Sequence, residues 1–364
     1  MWPDSYRDAD KYRPLKFNDM GFAGKTSCFV ILSGIFIFPL ESFSQVKWTI
    51  ADSAFGPLPA TVHIYRVKDS LDGRPFIAYY AEAKLNEGLL DFTTDTTRDR
   101  RLTPGQFYQR NSLPLIVVNC TFFSYETNRS LNLVINEGHL LAYNLQSLPM
   151  RGKDTFQYRH VLGSAIGITK KGKADIAWVI TDSTHRYAYA SQVPLLKPIR
   201  DSVGKPSFGY LKDKFIANGD STVSGRGSER LHFKKWKMKT AVGGGPVLLQ
   251  NGELRITNEE EMKFAGKAIN DKHPRTVIGY TADGRLIIMV IEGRYPGRAE
   301  GATLRQEAIL MKDLGCVEAM NLDGGGSSCM LINGKETIKP SEKGEERAVP
   351  AVFIIKIADP HINS

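Results

Sequence analysis

The sequence predicts an α+β fold: a mixed β-sheet core with few helices, including one parallel strand-helix-strand unit at 285–322. Three observations predict it. Short runs rich in β-branched and aromatic residues, bounded by turn residues, recur along most of the chain. Asn-Gly and Asp-Gly type steps split several of them into hairpins. One strong helical period, at 303–314, lies between two apolar runs.

In chain order, the first strands are 60–67 (ATVHIYRV) and 76–83. Runs 131–135 and 138–143 flank Asn136-Glu137-Gly138, which reads as a hairpin turn. Runs 161–168, 174–181, 241–249, 275–281, 285–291 and 350–357 continue the series, with further hairpin turns at Ala282-Asp283-Gly284 and Ile332-Asn333-Gly334. Residues 182–235, with Pro194, Pro198 and Pro206, are the least regular and read as a surface excursion. The helix at 303–314 (TLRQEAILMKDL) has Thr303 as N-cap, Gln306 to complete a capping box, and Gly315 just past its end. A second short helix is expected at 258–264, capped by Asn258.

Composition narrows the classes. With 364 residues, 42% hydrophobic and 24% charged, the chain is neither disordered, collagenous nor a coiled coil. A net charge of +9 favours an anionic ligand or surface, but it is too dispersed to indicate nucleic acid. The run 28–40 (CFVILSGIFIFPL) is short for a membrane span. Lys25 precedes it and Ser42-Phe43-Ser44 follows, so residues 1–44 read as a secretory signal peptide, with Met20 as an alternative start. The mature chain is then secreted or periplasmic, with no stable membrane span. Its 45–110 stretch supplies N-terminal strands of the same globular unit. Cys120, Cys316 and Cys329 remain, and they read as buried thiols rather than a disulfide scaffold or zinc site.

The helix lies between strands 285–291 and 317–322, which reads as a right-handed crossover between parallel strands. The first strand runs into Glu292-Gly293-Arg294, the second into Asp323-Gly324-Gly325-Gly326-Ser327-Ser328. Both carboxylates should then stand at one sheet edge, on the order of 5–10 Å apart. The glycines permit positive φ and close approach to a ligand, and successive N–H groups there form an anion nest.

NLDGGGSS at 321–328 resembles the signature of the phosphodiester glycosidase family. VNCTFF at 118–123, SLNLVINEGHLLA at 130–142, AVGGGPVLLQNGE at 241–253 and HPRTVIGYTADGRLIIMVIEGR at 273–294 resemble further blocks in family order. The resemblance spans roughly 110–357, so a domain of this type is expected over 110–358. Glu292 stands where the family often has Asp, Cys120-Thr121 replaces small glycine-like residues, and Gln306 replaces a common Glu.

The resemblance implies a hydrolase that cleaves a sugar-1-phosphodiester, with a carbohydrate or phosphosugar substrate; no cofactor is expected. An oxocarbenium-like transition state needs a nearby carboxylate. Asp323 is the first choice and Glu292 the second. Arg275 and Arg294 are the expected phosphate ligands, because a guanidinium binds phosphate bidentately. Asn119 is expected to bond sugar hydroxyls or orient a carboxylate. Thr276, Asn321, Gly324, Gly325, Gly326, Ser327, Ser328, Gly244 and Gly245 complete the expected substrate-binding set. A hard cation shared by Asp323 and Glu292 is an alternative. His273 is a conceivable general acid or simply an exposed loop residue. His232-Phe233-Lys234-Lys235-Trp236-Lys237 reads as a lysine-protected edge strand before it reads as a polyanion site. A serine hydrolase lacks a motif-placed histidine; a non-catalytic glycan-binding protein is the other class.

Overall fold

The structure is a computed structural model that describes residues 46–358 except 219 and 222–228. The signal-like stretch 1–44 lies outside the described residues. An eight-stranded sheet runs in the order Thr49–Ile50, Val62–Leu71, Arg74–Lys84, Arg285–Ile291, Arg275–Thr281, Cys316–Asn321, Val247–Gln250, Glu253–Leu254. A seven-stranded sheet carries Gly163–Ile168, Ala174–Asp182 and Thr240–Gly243 at its centre. A five-stranded sheet is built on Ile116–Asn119, flanked by Met330–Ile332 and Ala351–Ile357.

The three sheets share one core. Ile278, Ile288 and Met320 of the first meet Ile166, Trp178 and Val242 of the second and Val118, Phe353 and Ile355 of the third. The opposite face of the eight-stranded sheet packs Val277, Ile287, Met289 and Ala319 under Leu304, Ala308 and Met311 of the helix Leu304–Asp313. That helix has the expected cap: Gln306 N–H donates to Thr303 Oγ1 at 3.1 Å, and Gln306 Oε1 accepts from Thr303 N–H at 2.9 Å. Gly315 sits just past its end at φ +81°.

The parallel strand-helix-strand unit needs correction. Every strand pair among the described residues of the eight-stranded sheet is antiparallel. Arg275–Thr281 forms the expected hairpin with Arg285–Ile291, then lies between it and Cys316–Asn321. The two strands around the helix therefore run in one direction without pairing. The helix returns the chain over the sheet face, and the last strand docks on the free side of the hairpin.

Two helices stand where none is expected. Pro104–Arg110 is closed by a capping box between Thr103 and Gln106. Phe208–Asn218 falls in the irregular excursion and buries only Leu211 and Phe215, too few to make a periodic signal. The 258–264 helix shortens to Asn258–Glu261 with Thr257 as N-cap, while Asn258 exchanges two hydrogen bonds with Phe264. Lys234–Lys235 is an exposed strand at the edge of the seven-stranded sheet, with Phe233 and Trp236 buried on either side.

Candidate functional site

The site forms where the eight- and five-stranded sheets converge. Leu322 N–H donates to Thr276 O at 2.8 Å, continuing the first sheet. The next N–H, of Asp323, turns to Cys120 O at 2.8 Å, just beyond the central strand of the other sheet. Asn119, fully buried, fastens the junction. Its Oδ1 accepts from Thr276 Oγ1 at 2.9 Å and Cys329 N–H at 3.0 Å, and its Nδ2 donates to Asp323 O at 2.6 Å. Asn119 and Thr276 thus hold the Asp323 backbone from fully buried positions.

The glycine triplet admits arginines. A Cβ on Gly325, whose φ is +62°, would stand 2.9 Å from Arg294 Nη2. A Cβ on Gly326 would overlap Arg347 Nη2, and one on Gly324 would come 2.9 Å from Pro274 O. Only glycine lets two guanidinium groups lie on this loop. Two N–H groups of the expected anion nest are used internally: Gly325 N–H donates to Pro274 O at 2.8 Å and Gly324 N–H to the Asp323 carboxylate. Cation charge, rather than backbone amides, dominates the site.

Ser327 hydrogen-bonds the Asp323 carboxylate, and its Oγ accepts from Arg347 Nη1 at 3.4 Å. Arg347 also pairs with Glu342. Burial pushes the Asp323 carboxyl up to about 7, outweighing Ser327, Arg347, Gly324 N–H and Arg294, which favour the charged form. Tyr125, 56% exposed, lies beside the cluster, with Arg347 Cζ 5.8 Å and Arg101 Cζ 5.0 Å from its ring centroid. Among the described residues, the charges around Tyr125, Arg294 and Asp323 are three arginines, Arg101, Arg294 and Arg347, against two carboxylates, Asp323 and Glu342, a surplus of positive charge. Arg101, Tyr125 and Arg347 escape the sequence reading. Arg347 stands alone in a loop of Glu and Lys residues, with no local pattern to mark it.

Several expected site residues are placed elsewhere. Arg275, expected on phosphate, is 2% exposed. It pairs in register with Ile291 and faces the helix side, where its Nε donates to Ala302 O at 3.0 Å and its guanidinium lies over Phe264. Glu292 is buried at the strand end, its Oε1 2.6 Å from Arg298 Nε and its Oε2 accepting from Lys339 N–H at 2.9 Å. It ties the 292–298 turn to the segment Thr337–Lys339. Gly244 and Gly245 pack behind the strand: a Cβ on Gly244 would meet Asn321 O at 2.7 Å, and Gly245 N–H donates to that oxygen at 2.7 Å. Asn321 is fully buried, with Nδ2 donating to Gly245 O and Leu322 O. Ser328 is likewise buried. His273 is pushed down by burial and by Arg275 and Arg294, which makes it neutral at pH 7 and unsuited to be a general acid. Among the described residues no three His, Cys, Asp or Glu side chains converge as metal ligands would.

The arrangement sets a carboxylate beside two guanidinium groups on an antiparallel β scaffold. Residues 202–356 match the model of the family described as phosphodiester glycosidase, the family the sequence resembles. That stretch includes Arg294, Asp323 and Arg347. Over 96 residues the chain is 40% identical to an uncharacterized SPbeta prophage-derived protein, YomE, of Bacillus subtilis, covering 26% of this chain and 15% of that protein. Over 103 residues it is 30% identical to N-acetylglucosamine-1-phosphodiester alpha-N-acetylglucosaminidase of Mus musculus and 32% identical to the Homo sapiens enzyme, in each case 26% of this chain and 20% of the relative. The chain thus spans a fifth or less of these relatives. The fold is similar to a hypothetical protein from Synechocystis (TM-score 0.53, 16% identity, 82% of this chain and 62% of that one). It is also similar to the catalytic domain of the zebrafish N-acetylglucosamine-1-phosphodiester alpha-N-acetylglucosaminidase, solved auto-inhibited by its pro-peptide (TM-score 0.51, 18% identity, 85% of this chain and 87% of that one).

Proposed function

We propose that this protein hydrolyses a sugar-1-phosphodiester, and that its substrates are phosphate-linked glycans of the cell envelope or exopolysaccharide. One observation carries the reading: Asp323, whose carboxyl is held near 7, adjoins a glycine loop on which the Arg294 and Arg347 guanidinium groups lie. The guanidinium groups receive the phosphodiester. The Asp323 carboxylate takes a proton from water, the water oxygen bonds to C1, and the C1–O bond breaks. The departing phosphate monoester keeps that bond's electron pair, stabilised by the two arginines. A phosphate leaving group needs little acid assistance, which suits a site whose nearby histidine is neutral.

A panel of synthetic sugar-1-phosphodiesters, with products read by NMR, tests the assignment. Free sugar and a phosphate monoester are expected from at least one of them. Intact substrate throughout, with binding retained, would make the protein a glycan-binding module instead.

We further propose that the protein acts outside the cytoplasm, on the basis of the 28–40 run and its small-residue exit. N-terminal sequencing of protein from the culture medium or envelope should find a start near Gln45. An uncleaved Met1 or Met20 terminus in the membrane fraction would refute this. Among the described residues no helix is long and apolar enough to cross a membrane.

A further inference from the structure

A cavity of about 780 Å³ opens on the eight-stranded sheet, away from the Asp323 centre. Its size falls in the range of small-molecule sites. The register of the sheet explains its lining. Arg66 pairs with Tyr79 and Lys68 with Ile77, so these four side chains share one face. Thr49 pairs with Arg66 and extends the same row. Tyr79 and Ile77 add an aromatic and an aliphatic side chain to this lining. The segment Thr337–Lys339 closes the far wall, held there by the Glu292 carboxylate.

The charge of this cavity is uneven. Five cations line it against three carboxylates, Asp69, Glu292 and Glu336. Glu292 is already neutralised by Arg298. Among the described residues Lys47, Arg66 and Lys68 pair with no carboxylate, although Asp69 adjoins Lys68 in sequence. Asp69 instead accepts from the Ser70 N–H at 2.8 Å. Tyr79, part-buried and met by Phe55 at 6.1 Å between ring centroids, lines the cavity beside three unpaired cations, which suits a sugar carrying anionic groups: the sugar packs against the tyrosine and the cations receive the charge.

We propose that this cavity is a binding site for an anionic saccharide, distinct from the Asp323 centre and connected to it through the 292–298 turn, which contributes Arg294 to one and Arg298 to the other. The proposal extends the glycan reading above by giving the non-reacting part of a charged glycan chain a place to bind. It does not require that the Asp323 centre be catalytic.

The test uses the full chain and a fluorescent oligosaccharide bearing phosphate monoesters on C6, with no phosphodiester at C1. Anisotropy should show saturable binding that weakens as salt rises. The double variant Arg66→Glu/Lys68→Glu, on exposed strand positions, should bind at least tenfold more weakly at low salt, while turnover of a small sugar-1-phosphodiester stays at the wild-type level. Tyr79→Leu should also bind more weakly, with salt dependence unchanged. The proposal fails if the wild type does not bind the probe, if the double variant binds it equally, or if the unphosphorylated oligosaccharide binds as tightly. Failure of the small diester to react at all would count against Asp323 chemistry alone and leave the probe measurement to decide this site.

Discussion

Arg347→Ala is expected to weaken substrate or phosphate binding by roughly 1.5–3 kcal/mol, the range for a hydrogen bond to a charged group. Arg347 reaches the glycine loop beside Asp323 and is paired with Glu342, so its guanidinium is held in place before any ligand arrives. What binding remains should depend less on salt, because one fixed positive charge is gone. The same change should move the pH profile. Arg347 favours the ionised form of Asp323, whose carboxyl is held near 7. Removing that cation raises the carboxyl further, so the rising limb of activity should shift to higher pH. Arg347→Lys should restore the position of the limb better than the affinity, since charge is kept but the planar fork is lost. Arg294→Ala should behave similarly. Arg275→Ala should instead lower the unfolding midpoint, because Arg275 is packed under the helix and its loss leaves buried Glu307 without its nearest cation. Unchanged affinity and an unmoved limb in both the Arg294 and Arg347 variants would place the phosphate elsewhere.

The sequence carries direction more readily than neighbourhood. Residues 275–281 and 285–291 are apolar runs joined by Asp-Gly, so their hairpin is legible. That 275–281 then separates 285–291 from 316–321 is not, because both faces of all three strands are covered and their hydrophobic patterns are equivalent. The common edge of Glu292 and Asp323 survives this error, since the two strands still run the same way. Side-chain facing does not. Arg275 and Glu292 are charged residues at strand ends, and in sequence each reads as aimed at a ligand. One lies under the helix, and the other clamps a turn. Asn119 and Thr276 are polar residues whose partners are on other strands, so their mutual bond cannot be read locally. Arg347 depends on the five-stranded sheet. Ala351–Ile357 pairs Val352 with Asn119, and the loop before it is thereby delivered to the Asp323 junction. The glycine triplet is legible as a close approach, but the group that approaches is a pair of arginines.

Asp323→Asn is expected to reduce turnover of a sugar-1-phosphodiester by on the order of 100-fold or more, since an electrostatic or proton-transferring group commonly supplies several kcal/mol to the transition state. The amide keeps the shape and the Ser327 contact but has no carboxylate to take a proton from water. In the wild type, activity should rise with pH through about 7, because the working form is the ionised one and burial holds the carboxyl there. The variant should lose that limb. Its stability should change in the opposite sense. An aspartate in the unfolded chain ionises near 4. Between that value and about 7 the folded state binds the proton more tightly, so folding weakens as pH rises across this window and stays weakened above it. Asparagine has no charge to desolvate. At pH 8 the variant should therefore be more stable than the wild type by roughly 1–3 kcal/mol, discounted because the side chain is partly exposed. At pH 4 the difference should close. Thermal unfolding of both proteins across this range, beside initial rates on the same substrate, measures both effects. A folded Asn variant with near wild-type turnover would remove Asp323 from the chemistry. An inactive variant with a raised midpoint at pH 8 is the result expected of a carboxylate kept charged for function at a cost to the fold.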